Sequence, residues 1–227
     1  MKKIGLVAAM AKELNVFLQS IGKEKTKIET KAFTVYEYEI SGKTVYLTDS
    51  GVGEVSSAIA TQMLVDRFDV EGVINFGVCG SLDSSLKVAD IVFGESVYHF
   101  DRDTSSLDGC EIGFYTEYDT KYLKSDKALL DVATAVFPDI KKVVVASSEK
   151  FVANSLVKQN LRAQGASVCE MEALGVVLTS IKNGIPCLLV KAISDNADEE
   201  AQMSFGDMLS VAMQKCSEVV KSILEKI

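Results

Sequence analysis

Short apolar runs that stop abruptly at glycines or polar clusters recur along this chain, and helical periodicity fills the intervals. Runs at residues 2–10, 72–76, 90–98, 142–146 and 187–193 have strand length, and the last is fully apolar but for Lys191. Between them, residues 11–21 carry Leu14, Phe17, Leu18 and Ile21 on one stripe, with Gly22 as a helix stop. Residues 54–67 place Val55, Ile59 and Met63 at helical spacing. Residues 151–164 and 171–182 also read as helices, and 203–226 as a last one with Met208, Val211, Ala212, Val219 and Ile223 facing in. Runs at 33–40 and 44–48, joined by Ser41-Gly42-Lys43, read as a hairpin. Residues 50–53 and 77–80 read as glycine-rich turns, and 101–125 as a long polar loop of the kind that often serves function. A chain that alternates strand and helix periods in this way predicts an α/β fold. The expectation is one domain over residues 1–227, in three layers, with a central mixed β-sheet flanked by helices.

With 227 residues the chain can bury about 70% of its unfolded surface, so its core needs no disulfide or metal. Basic residues number 24 and acidic ones 32, a net charge of −8 that argues against nucleic acid and anionic membrane as partners. No apolar run approaches the ~18 residues of a membrane span. Five cysteines form no CxxC pair, and the run at 4–10 is too short for a secretory signal, which predicts reduced thiols in a cytoplasmic protein. One histidine and scattered cysteines make no metal site. Gly77-Val78-Cys79-Gly80 lacks the GxGxxG spacing of a dinucleotide fold, so no cofactor is expected.

Ligands of α/β sheets gather at the C-terminal ends of strands. Polar or glycine clusters stand at four such ends: residues 9–13, 75–80, 147–151 and 194–198. A fifth, Glu170-Met171-Glu172, opens a predicted helix. These clusters, with Ser50-Gly51-Val52-Gly53, the stretch from Leu86 to Val92, Ala192-Ile193-Ser194-Asp195 and Ser204-Phe205, follow one another over nearly the whole chain. In that order and spacing the sequence resembles the nucleoside phosphorylase and nucleosidase superfamily. It is most similar to the 5′-methylthioadenosine/S-adenosylhomocysteine nucleosidases.

The resemblance implies hydrolysis of the N-glycosidic bond between ribose and a purine, through an oxocarbenium-like sugar. It assigns Asp195 as the acid that protonates the leaving purine, kept partly protonated by its apolar strand beside Ser194. Glu13 matches the glutamate that activates water, although spacing alone reads it as a first-turn helix acid favouring the dipole. Glu172 and Met171 match the ribose-binding pair, while Glu170 reads as structural. Phe151 matches the aromatic that stacks on the purine, and Val152 offers backbone bonds to its edge. Met10, Val52 and Phe205 match the pocket for the 5′ substituent. Val78 stands near the ribose where relatives often carry a hydroxyl. The resemblance also implies a homodimer and a small-molecule purine nucleoside substrate.

Phosphorylases of the same fold hold phosphate with arginines in the first strand–helix loop and before the glycine-rich turn. Neither place has an arginine here; the chain has three, Arg67, Arg102 and Arg162. Water is therefore the expected nucleophile. A phosphorylase, a futalosine-type hydrolase and an inactive nucleoside-binding protein remain alternatives. His99 and Arg102, in a shifted His-Asp-x-Asp motif, are candidates to read a polar 5′ tail.

Overall fold

The computed structural model describes residues 1–22 and 26–227, and only the backbone of 202–207. Its described strands form one mixed sheet: β1 (Lys3–Ala8), β2 (Thr26–Glu29), β3 (Thr34–Ile40), β4 (Lys43–Asp49), β5 (Gly72–Ser81), β6 (Ile91–His99), β7 (Leu123–Lys124), β8 (Lys141–Ser147), β9 (Val168–Glu170) and β10 (Cys187–Asp195). The order is β10-β6-β8-β9-β5-β1-β4-β3-β2, with β7 added beside β6. Because β10 also pairs with β5, five strands close into a ring, and the rest extend from it as an open sheet. β5, β1, β4 and β10 run parallel, which brings their C-terminal ends to one edge.

Helices α1 (Ala11–Ile21), α4 (Lys127–Val136) and α7 (Ala201–Leu224) share one core with the sheet, and α2 (Glu54–Phe68) and α6 (Ala173–Asn183) share the other. Alternation along the strands serves both layers. Ile4, Leu6 and Ala8 of β1 enter the first core and Val7 the second; Ile74 and Phe76 of β5 enter the first and Val73 and Cys79 the second. Helix α5 (Ser155–Ala163) starts at an Asn154 cap that accepts from Leu156 and Val157 N–H. The remaining helix, α3 (Ser105–Asp108), is a single turn.

The three-layer expectation holds, with several local corrections. The predicted turn at residues 77–80 is the second half of β5, buried throughout, because ring closure continues the strand past its glycines. The 151–164 helix starts only at Ser155, and residues 171 and 172 precede α6. Strand β2 and helix α4 went unpredicted, and α3 and β7 lie inside the expected 101–125 loop. In α7, Val211 is 47% exposed while Ala212, Val219 and Ile223 are buried. The Val55–Ile59 stripe of α2 faces solvent, at 66% and 54% exposure. That helix buries Ser57, Ala60 and Thr61 instead, because it lies so close to α6 that a Cβ on Gly175 would run into the Glu54 carbonyl. Small residues allow the close approach; Val55 and Ile59 turn outward there, while Leu64 and Phe68 farther along the helix are buried.

Candidate active site

The cavity that takes in most of the predicted residues has a volume of about 590 Å³ and lies at the C-terminal ends of β1, β5 and β10. Met10, Glu13, Val52, Val78, Phe151, Val152, Met171, Glu172, Ser194 and Asp195 all line it. Phe205 lies outside the described side chains. Phe151, 49% exposed, stands at the rim rather than in the core, and Val52 is 51% exposed beside it.

Glu13 is the third residue of α1, yet its carboxylate turns inward and is 1% exposed. Oε2 accepts from the Ala9 and Met10 N–H groups at 3.0 and 2.9 Å, and Oε1 from Val78 N–H at 2.9 Å. Burial pushes its pKa up from the usual carboxylate range, and those backbone bonds and Lys191 oppose the rise. The approach to β5 requires Gly77, where a Cβ would stand 2.7 Å from Glu13 Oε1. A carboxylate offers about four acceptor sites, and three are taken by N–H groups that fix its orientation.

Asp195 ends β10 and is 2% exposed. Ser194 Oγ lies 2.7 Å from Oδ2, and Ala197 N–H donates to Oδ1 at 2.8 Å. Burial raises its pKa against both contacts, which favours the protonated form an acid needs. Gly80 makes room here as Gly77 does for Glu13: its Cβ would fall 2.9 Å from Asp195 Oδ1. The glycines that read as a turn are therefore two gaps in one strand, each filled by a carboxyl group.

Glu172 caps α6, and its Oε1 accepts from Gly53 N–H at 2.9 Å. Burial and the neighbouring Glu170 push it up to about 8. Glu170 lines the same cavity, and its Oε2 accepts from Glu172 N–H, Ala173 N–H and Lys191 Nζ, the last at 2.8 Å. The two charged side chains of that pair are each 2% exposed. Burial alone would lower the Lys191 pKa, but Glu170, Glu172 and Glu13 together raise it above the ordinary value. Lys191 was not among the sequence candidates. Its signal was present as the lone cation of an apolar strand, which only a buried partner can accommodate.

His99 and Arg102 are not among the residues lining the cavity. Arg102 donates to the Phe114 carbonyl and to Thr104 Oγ1 at 3.3 Å, and its guanidinium sits 4.6 Å over the Tyr115 ring. Each His99 ring nitrogen faces a carboxylate oxygen at 3.0 Å, from Glu54 and from Asp101. Arg102 thus holds its own loop, and His99 ties the end of β6 to the start of α2 and to Asp101. Among the described residues no cluster has the makings of a metal site, and no helix is long and apolar enough to cross a membrane.

Carboxyl groups held in distinct environments around one cavity of this fold place the chain in a known class. It belongs to the phosphorylase superfamily, whose family description matches residues 3–225. Within that class it is 32% identical to the 5′-methylthioadenosine/S-adenosylhomocysteine nucleosidase of Actinobacillus succinogenes, over 99% of both chains. The nucleosidase of Haemophilus influenzae is 31% identical over 99% of this chain and all of its own. Among solved structures, the futalosine hydrolase of Helicobacter pylori superposes with a TM-score of 0.95 at 30% identity, covering 100% of this chain and 98% of that one. The 5′-methylthioadenosine/S-adenosylhomocysteine nucleosidase of the same organism, bound to butyl-thio-DADMe-Immucillin-A, gives 0.95 at 29% identity and covers 100% and 99%.

Lys191→Met leaves Glu170 buried without its cation and is expected to cost about 3–5 kcal/mol of stability. Adding Glu170→Gln, which keeps an acceptor for the two N–H groups, recovers most of that loss. Urea denaturation of the single and double variants measures it. A double variant no more stable than Lys191→Met would show that the pair is not the source.

Proposed function

We propose that this chain is a purine nucleosidase that hydrolyses the N-glycosidic bond of a 5′-substituted adenosine, 5′-methylthioadenosine or S-adenosylhomocysteine. The products are free adenine and the 5′-substituted ribose. The observation that carries the reading is the convergence of Glu13, Glu172 and Asp195, each nearly buried, on one cavity. The relatives' activities agree with it.

In this reading Asp195 donates its proton to the purine as the bond to ribose lengthens, so the base leaves neutral. Val152 and Phe151 hold the purine, edge and face. Positive charge grows on the ribose, and Glu172 accepts hydrogen bonds from its hydroxyls while its carboxylate faces that charge. Glu13 has one acceptor site beyond its three N–H bonds, and there it takes a proton from the attacking water. Met171 flanks the ribose beside Glu172, and Met10 and Val52 supply an apolar wall for the 5′ group.

Water is favoured over phosphate because no arginine is among the described residues lining the cavity to hold a phosphate. The chain also works as a homodimer in this reading. The exposed Val55 and Ile59 of α2 form an apolar stripe that begins beside Val52 at the cavity rim, and a second copy would cover it.

Asp195→Asn is expected to lower base release about 10²–10⁴-fold. Glu13→Gln should lose about 3–5 kcal/mol of transition-state stabilisation in kcat. Activity of the wild type should be the same with and without phosphate. A normal kcat in Glu13→Gln, or ribose-1-phosphate as the main sugar product, would overturn the respective assignment. For the dimer, light scattering should give twice the chain mass, reduced to a single chain in Ile59→Asp; a wild-type monomer would refute it.

A further inference from the structure

The cavity is acidic within, and one feature of its rim has the opposite charge. Among the described residues lining the cavity, Lys150 is the one cation. Its ammonium lies 2.6 Å from Asp101 Oδ2. Asp101 Oδ1 in turn lies 3.0 Å from His99 Nδ1, and His99 Nε2 lies 3.0 Å from Glu54 Oε2. The relay Glu54–His99–Asp101–Lys150 thus runs from the first turn of α2 to the cavity mouth. The backbone beside it is fixed as well: Glu149 Oε1 accepts from Val55 N–H at 3.0 Å, tying the Lys150 segment to the same helix start that Val52 leads into.

We propose that Lys150 is a specificity-determining residue that binds a carboxylate carried at the far end of the substrate's 5′ substituent. The proposal rests on the nucleosidase reading for where the sugar lies. With ribose at Glu13 and Glu172, a 5′ substituent leaves along Met10 and Val52 toward the rim, where Lys150 stands. An anion nearer the sugar meets the buried carboxylates, so only a terminal charge is tolerated. An ammonium has three N–H groups, and Asp101 engages one side of it. The side chain stays 64% exposed, which leaves donors for a ligand. Asp101, braced by His99, lowers the entropy of holding so flexible a side chain in place. The polar motif around His99 thereby acts on the substrate through Lys150, not directly.

The test compares two adenosines matched in length, the 5′-carboxypropylthio and 5′-butylthio derivatives, and reads the ratio of their kcat/KM values. In Lys150→Met the acid-to-alkyl ratio is expected to fall about five- to tenfold, the scale of one charge-assisted contact at a half-open site. Lys150→Glu should lower it further. A fall of more than twofold in both variants supports the proposal; a smaller change in either overturns it. An equal loss on both nucleosides leaves the ratio unchanged and so also overturns it. If the wild type releases adenine from neither compound, the nucleosidase reading fails on its own. The same ratio, taken from dissociation constants, then decides the role of Lys150.

Discussion

An ammonium and a carboxylate, each 2% exposed, meet at 2.8 Å where Glu170 at the end of β9 reaches Lys191 in the middle of β10, and the start of α6 beside the cavity is built on that contact. Desolvating two charges costs more than their attraction returns unless further hydrogen bonds complete them. Glu170 is completed by the Glu172 and Ala173 N–H groups, so the ion pair also fixes the start of α6. It thereby fixes Glu172. Lys191 further lowers the cost of charge on Glu172 and Glu13, against the rise that burial causes in both.

The charge balance that follows is suited to a cationic sugar. Lys191 and Glu170 cancel, which leaves Glu13 and Glu172 to face the cavity. With Glu172 at about 8, the empty site holds a proton there at neutral pH. A positive ribose makes ionised Glu172 favourable and displaces that proton. In the proposed reading the site therefore matches the charge that develops in the transition state better than the neutral ground state, which is the condition for catalysis rather than plain binding. Asp195 is raised chiefly by burial, against its contacts with Ser194 and Ala197, which favours the protonated form that the proposed acid role needs.

Much of the fold was legible because strand and helix periods differ, and β1, β10 and α1 show theirs cleanly. The ring closure was not, because pairing of β10 with both β5 and β6 leaves no mark in either strand's own pattern. For the same reason Gly77 to Gly80 read as a turn: their reason is the carboxyl groups of Glu13 and Asp195, distant in sequence. The stripe of α2 misled because the first turns meet α6 through Glu54 and Ser57 at Gly175, which leaves Val55 and Ile59 outside. Within the site, resemblance found ten of the residues that line the cavity, and periodicity alone would have left Glu13 on the helix surface. Lys191 and Lys150 escaped both, since each acquires meaning only from a partner across the fold, Glu170 and Asp101.

A cavity built for a positive sugar must prefer a charged ligand to its neutral isostere. Two purine nucleoside mimics of the same shape test it directly, one with a protonated nitrogen in the sugar ring and one with a neutral carbon in its place. Their affinities should be measured by calorimetry at pH 7 in buffers of different ionisation enthalpy. The account predicts at least about tenfold tighter binding of the charged mimic, roughly 1.4 kcal/mol or more, with release of a proton from the protein. Equal affinities with no proton release would contradict it.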